Sequence, residues 1–128
     1  DGRKVTVIMS DLNVLKQIND NLGHSAGDAA ISAVAESLKE ACPKGALCAR
    51  FGGDEMLAFI LGDCDVNLIK TMIYEILKDK SNLLGFTVSP SIGFYETTMH
   101  ESLDLDKVIS IADSIMYEEK RIYKKNKK

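Results

Sequence analysis

No stretch of this 128-residue chain stays apolar for long: runs such as Met56 to Leu61 fall far short of the ~20 residues that cross a bilayer. No signal-peptide pattern opens the sequence, so the expected location is the cytoplasm, either free or as the cytoplasmic domain of a membrane-anchored protein. Cysteine is scarce and odd in number. Cys42, Cys48 and Cys64 lack CxxC spacing, which argues against a disulfide framework or a zinc site and for free thiols. Positive charge is not in excess either. Sixteen Lys and Arg against nineteen Asp and Glu leave a net charge of −3, which excludes wholesale binding to a nucleic-acid backbone. Any phosphate must be held locally. Repeats and low-complexity segments are missing except for a basic tail, Lys124-Lys125-Asn126-Lys127-Lys128.

What remains is the composition of one globular domain, 45% hydrophobic and 27% charged, with enough chain to bury roughly two-thirds of its unfolded surface. Asp1 rather than Met opens the chain and a strand follows almost at once, so an excerpt of a longer polypeptide is expected.

Val5 to Ser10 is a β-branched, apolar run ending at Asp11, the pattern of a buried strand closed by a polar turn. Val14, Leu15, Ile18 and Leu22 have helical spacing, and Gly23 is placed to stop that helix. Ser25 offers an N-cap for a second, longer helix whose apolar face runs through Ala29, Ile31, Val34, Ala35 and Leu38 and which ends before Pro43. Ala46 to Phe51 and Met56 to Leu61 read as two strands of a hairpin with an acidic tip. A helix from about Val66 to Lys80 with Leu68, Met72, Ile73 and Ile76 on one side follows, then a strand around Phe86 to Tyr95. The last helix, about Leu105 to Tyr123, turns Val108, Ile111, Ile115 and Met116 inward. The order β-α-α-β-β-α-β-α predicts an α+β fold: a ferredoxin-like mixed central sheet covered by helices.

Asp11 at a strand end and Asp54 at a hairpin tip can converge on one edge of the sheet. Mg²⁺ recruits one or two such carboxylates and fills its other positions with water and phosphate. Turn residues are often acidic, so position alone also allows a plain hairpin. Gly52 and Gly53 remove side chains beside those carboxylates and admit a bulky ligand, although glycine pairs are common in turns. Asn19 and Asp28 flank a polar joint, Asn19-Asp20-Asn21-Leu22-Gly23-His24-Ser25-Ala26-Gly27-Asp28, with glycines at both bends. A carboxylate accepts from the N1–H and N2–H₂ donors of guanine, and an Asn amide completes the edge. Capping or solvent exposure is the alternative for each, and His24 taken alone reads as a loop histidine. Lys16 lies about one helical turn from the carboxylate edge, and Lys120 and Lys124 share a helix face at i, i+4. Each can meet phosphate oxygens, or simply face solvent.

Together these residues carry a resemblance. D-L-N-x-L-K-x-I-N-D-x-x-G-H-x-x-G-D from Asp11 to Asp28, R-F-G-G-D-E-M from Arg50 to Met56, and A-D-S-I-M-Y-E-E-K from Ala112 to Lys120 are similar to the GGDEF domain of bacterial diguanylate cyclases. The resemblance spans 1–128 and implies a nucleotide-cyclase-like fold that lacks the family's D-x-L-T-G-L-x-N-R lead-in segment. It implies condensation of two GTP molecules into cyclic di-GMP with release of two pyrophosphates, in an antiparallel homodimer under the control of an attached sensor or regulatory domain. Asp11, the Leu12 carbonyl and Asp54 would hold two Mg²⁺ or Mn²⁺ ions in each half of the site. Asn19 and Asp28 would read guanine, supported by His24, with Gly52 and Gly53 admitting the nucleotide. Lys16 would stabilise charge at the phosphates, Lys120 and Lys124 would hold the β- and γ-phosphates, and Asp54 and Glu55 are the candidates for the base.

Met56 replaces the final Phe of the signature, one large apolar side chain for another. Asn13 stands where the family often has a second Asp, and Tyr123-Lys124 where it has Gly-Arg. Three other readings stay open: a catalytically inactive GTP-binding regulatory module, a cyclase making a mixed dinucleotide, and an interaction domain whose polar residues are only turns and caps. Asp28 speaks against adenine. The product-binding RxxD that many members carry before the signature is absent, since Pro43-Lys44-Gly45-Ala46 has neither charge. Calorimetry should accordingly detect no tight cyclic di-GMP complex at this surface; a tight one there would contradict the assignment.

Overall fold

The computed structural model of the protein describes residues 2–126; Asp1 and the last two lysines of the basic tail, Lys127 and Lys128, lie outside the described residues. Eight elements follow the expected order. Strand β1 (Lys4–Leu12) is buried from Val5 to Leu12, and its residues alternate between two apolar layers. Ile8 and Leu12 face one layer, Val7 and Met9 the other. Burial on both faces is why this strand reads as a continuous apolar run rather than as an alternation.

β1 lies between β3 (Glu55–Leu61) and β4 (Pro90–Thr98), with β2 (Leu47–Gly52) on the outside of β3, giving the order β2-β3-β1-β4. All three hydrogen-bonded pairs are antiparallel, so the expected mixed sheet is corrected to an antiparallel one. The reason lies in the crossovers. The helices after β1 and after β3 each lead to a strand running parallel to the one before, but another strand has been inserted between the two.

Helices α1 (Leu15–Leu22), α2 (His24–Ala41) and α3 (Val66–Leu84) supply one layer, with Ile18, Val34, Leu38, Ile69, Ile73 and Leu77 packed over Met56, Ala58 and Ile60 of β3. Helix α4 (Leu105–Asn126) covers the other face through Val108, Ala112 and Met116. Each fully buried Ile, Leu or Met contributes about 1.5–3 kcal/mol relative to exposure.

Several expected boundaries and faces shift. Helix α2 begins at His24 behind Gly23, whose φ of 95° only glycine adopts without strain, and no side chain caps it, so Ser25 lies inside the first turn. Helix α3 continues past Lys80 to Leu84 and stops at Gly85 in the left-handed conformation. β4 starts at Pro90 rather than near Phe86, because its partner β1 ends at Leu12, opposite Pro90; beyond it a single Asn13 N–H to Ser89 carbonyl bond continues the contact and Val88 N–H turns to Ser81 Oγ. On α3 the buried stripe is Ile69, Ile73 and Leu77, while Leu68 points to solvent; on α4 it is Val108, Ala112 and Met116, with Ile115 exposed and Ile111 half-buried. Leu22 is likewise exposed.

Close approach decides the α4 stripe. A Cβ at Gly93 of β4 would fall on the backbone of Met116 and Ala112, so the helix lies directly against the strand. The cysteines are free thiols, and among the described residues no helix is long and apolar enough to cross a membrane. Gly93→Ala should lower the unfolding free energy by about 1–3 kcal/mol, the usual range for overpacking, as measured by urea denaturation.

Candidate active site

The last residues of β1 bring the carboxylates to one end of the sheet. Asp11 pairs across the sheet with Glu55, the first residue of β3, and the β2–β3 turn places Asp54 beside them. Arg50 steadies that turn by donating from Nε to the Gly53 carbonyl at 2.7 Å. Gly53 has a φ of 33°, and a Cβ at either glycine would meet nothing closer than Glu55 Oε1 at 3.9 Å. The tip is therefore open, as expected for a loop that admits a ligand.

Lys120 of α4 reaches this end from the other side. Its ammonium donates to Asp11 Oδ2 at 2.8 Å and to the Leu12 carbonyl at 3.0 Å, with side-chain exposures of 15% for Lys120 and 7% for Asp11. Asp11 Oδ1 is buried without a hydrogen-bond partner. Burial raises the Asp11 pKa, the Lys120 hydrogen bond opposes that rise, and the neighbouring Asp54 carboxyl adds to it. Glu55 is pushed up to about 6, first by burial, then by a shared hydrogen bond with Asp113 of α4 and by the charges of Asp113, Asp11 and Asp54. Asp113 Oδ1 is itself buried without a hydrogen-bond partner.

A cavity of about 440 Å³ opens next to this cluster and is lined by Leu12, Val14, Lys16, Asp54, Lys120 and Lys124, among others. Three of the lysines singled out in the sequence thus meet one of the two aspartates. The first turn of α1 also borders it. Val14, the residue before that helix, has a φ of 55°, a strained conformation for a β-branched side chain, and no side chain caps the helix start. Amide N–H groups at that end are left for an anionic ligand.

Asn19, His24 and Asp28 do not line this cavity; they sit along the α1–α2 joint. Gly27 is not a bend but a buried position within α2, where any Cβ would collide with the Asn19 amide. The glycine lets the two helices close together and seats the Asn19 amide against the residue before Asp28. His24 and Asp28 are exposed.

Sequence reasoning passed over Asp113, although its spacing of seven residues from Lys120 places both on one helix face. It also passed over Glu119, which accepts hydrogen bonds from Lys70 Nζ at 2.8 Å, Tyr74 O–H at 2.8 Å and Ile92 N–H at 3.1 Å. That residue ties α4 to α3 and to the outer edge of β4. Asn13 is structural: its side chain accepts from Ser91 Oγ at 2.8 Å and donates to Ser89 Oγ at 3.4 Å inside the core.

No group of three or more His, Cys, Asp and Glu side chains among the described residues forms a closed metal cage. An open site of hard oxygen donors is what Mg²⁺ or Mn²⁺ uses, and the unpartnered Asp11 Oδ1 fits such an ion.

Residues 1–126 match the family model for the diguanylate cyclase GGDEF domain, and the chain belongs to that family. It is 30% identical to diguanylate cyclase DgcP of Escherichia coli over 94% of this chain and 36% of that protein. It is 28% identical to the cyclic di-GMP phosphodiesterase NbdA of Pseudomonas aeruginosa over 87% of this chain and 15% of that protein. The chain therefore spans about a third or less of the length of these curated relatives. Among solved structures, the GGDEF domain of DgcB from Caulobacter crescentus, in complex with c-di-GMP, superposes with a TM-score of 0.75 at 25% identity, covering 93% of this chain and 73% of that one.

The raised Glu55 pKa has a consequence for stability. A carboxyl that binds its proton more tightly when folded contributes stability at low pH, and that contribution is lost as pH rises from the ordinary value of 4.5 through about 6. In metal-free buffer Glu55→Gln should melt above the parent at pH 7, and the gap should close as pH falls towards 4.5; thermal melts at the two pH values check it.

Proposed function

We propose that this domain is a diguanylate cyclase, condensing two GTP molecules into cyclic di-GMP and two pyrophosphates as a homodimer with one GTP in each half of the site. The observation that carries the proposal is the meeting of Asp54, the Leu12 carbonyl end of β1, and Lys16, Lys120 and Lys124 around one cavity. A triphosphate with its cations needs both kinds of charge at one place.

In this reading Asp11, the Leu12 carbonyl and Asp54 hold Mg²⁺ or Mn²⁺, two ions per half. Bound there, the ions neutralise phosphate charge and ease ionisation of the attacking hydroxyl. Lys120 and Lys124, one helical turn apart, take the β- and γ-phosphates, and the uncapped start of α1 adds amide donors. Lys16 answers the charge that develops on the leaving pyrophosphate. The ribose 3′-OH of one GTP attacks the α-phosphorus of the other in line, and its proton must pass to a nearby acceptor. Asp54 and Glu55 are the carboxylates placed for that. Asn19 and Asp28 read the guanine edge, with His24 beside them and Gly52 and Gly53 leaving room for the nucleotide.

Control by an attached sensor or regulatory domain, and work in the cytoplasm, belong to the same proposal. It involves no nucleic acid and no membrane contact by this domain.

A second reading has one observation in its favour: a relative named for cyclic di-GMP hydrolysis, NbdA, matches this chain over part of its length. In this reading the domain is a GTP-binding regulatory module rather than a cyclase. The intact Gly52-Gly53-Asp54-Glu55 favours turnover.

The test is mass spectrometry of products after the chain, dimerised through an N-terminal coiled coil, is incubated with GTP and Mg²⁺ or Mn²⁺. Cyclic di-GMP should form, Asp54→Ala should abolish it, and Asp28→Ala should raise KM for GTP roughly tenfold, the loss of one charged hydrogen bond. Near-normal turnover in Asp54→Ala would overturn the mechanism, and GTP binding without product would favour the regulatory module.

A further inference from the structure

Lys120 sits on two of the three oxygen donors assigned above to the divalent cation. Its ammonium takes Asp11 Oδ2 at 2.8 Å and the Leu12 carbonyl at 3.0 Å, in a setting where both side chains are largely withdrawn from water. A Mg²⁺ ion would take the same oxygens at about 2.0–2.1 Å. An ammonium and a divalent ion on the same two oxygens would stand as neighbouring like charges where little water screens them, so each works against the other.

We propose that Lys120 is the resident cation of the nucleotide-free site, and that a divalent metal takes Asp11 Oδ2 and the Leu12 carbonyl only by displacing it, with an incoming triphosphate supplying the ammonium with a new partner. The inference rests on the cyclase reading for the identity of the metal donors and adds an order to events at the site. Metal alone must break a buried ion pair and leave the ammonium without an acceptor. When phosphate oxygens arrive in the adjoining cavity, the ammonium moves to them and the Asp11 and Leu12 oxygens are released. Metal and nucleotide thereby favour one another's binding, and the coupling is the same in both directions.

The architecture lets the side chain move while its helix stays. Lys120 carries its charge on a flexible four-carbon stem. The residue before it, Glu119, anchors α4 independently through Lys70, Tyr74 and the Ile92 N–H, none of which belongs to the carboxylate cluster. The destination is adjacent, because Lys120 lines the same cavity as Lys16 and Lys124. Asp11 Oδ1 has no hydrogen-bond partner, so an incoming metal has one open oxygen to engage before the ammonium gives up the other two.

The experiment measures Mn²⁺ binding to the nucleotide-free protein by the loss of the free-ion electron paramagnetic resonance signal, in the parent, Lys120→Met and Lys124→Met. Lys120→Met should bind Mn²⁺ at least about tenfold more tightly than the parent. Lys124→Met removes the same charge from the same cavity wall without touching Asp11, and should shift affinity less than about threefold. Equal effects of the two substitutions would overturn the proposal, since general charge removal would then explain both.

Amine acylation read by mass spectrometry tests the unaltered chain and so does not depend on the variant folding. Without metal, Lys120 should be modified much more slowly than Lys124, and saturating Mn²⁺ alone should raise its rate. Equal rates without metal, or a Lys120 rate unmoved by saturating Mn²⁺, would refute the displacement. Failure of the cyclase reading shows separately, as absence of cyclic di-GMP from the dimerised parent while the Mn²⁺ difference between variants persists.

Discussion

Helix α4 reaches the carboxylate end of the sheet because β4 offers it bare backbone at Gly93, where any side chain would collide with Met116 and Ala112. That contact sets the height of α4 over β1 and β4. The rest of the site follows from it: Asp113 arrives opposite Glu55, and two helical turns later Lys120 arrives over Asp11 and the Leu12 carbonyl. Glu119 then fastens the helix around the outer edge of the sheet to α3. A helix held a few ångströms away by a larger residue would leave the lysine short of its partners and the carboxylates with no ammonium among them.

The site concentrates more negative charge than its own residues neutralise. Asp54 helps raise the Asp11 pKa, Asp113, Asp11 and Asp54 help raise that of Glu55, and Lys120 pulls Asp11 the other way. In a partly buried setting that imbalance costs stability, which is the ordinary condition of a site whose missing charge comes with its ligand. Strain at Val14 belongs to the same economy: the chain turns sharply out of β1 so that α1 begins at the cavity, with its first amides free of side-chain caps.

Elements with a strong local signature were legible. The apolar run of β1, the two-strand pattern around Gly52-Gly53 and the stop at Gly23 between α1 and α2 lie where their residues place them, although β1 runs on through Asp11 to Leu12 and the joint shrinks to Gly23, with Gly27 inside α2. Misplacements came where a partner elsewhere in the chain decides. Phe86 to Ser89 has the composition of a strand, but β1 ends at Leu12 and only Ser89 finds a backbone partner beyond it, in Asn13. Ser25 has a capping side chain, yet the N-cap is Gly23, so α2 starts two residues earlier than a Ser25 cap predicts. Ile115 is as hydrophobic as Met116, but the small Ala112 opposite Gly93 selects the stripe that faces the sheet.

The chemistry of the candidate site was written locally: hard oxygen donors at Asp11 and Asp54, lysines at helical spacing, an amide and a carboxylate suited to guanine, and motifs that resemble one family. These signals are short because each depends on residue type and on neighbours within a turn or a strand. Which groups meet was left to the tertiary structure. The Lys120 contact joins residues 109 positions apart in the chain, and the pairing of Glu55 with Asp113 likewise crosses from a hairpin to the last helix. Side-chain contacts of that range depend on how closely two layers pack, and packing distance is a property of both surfaces at once, so neither segment's own pattern contains it.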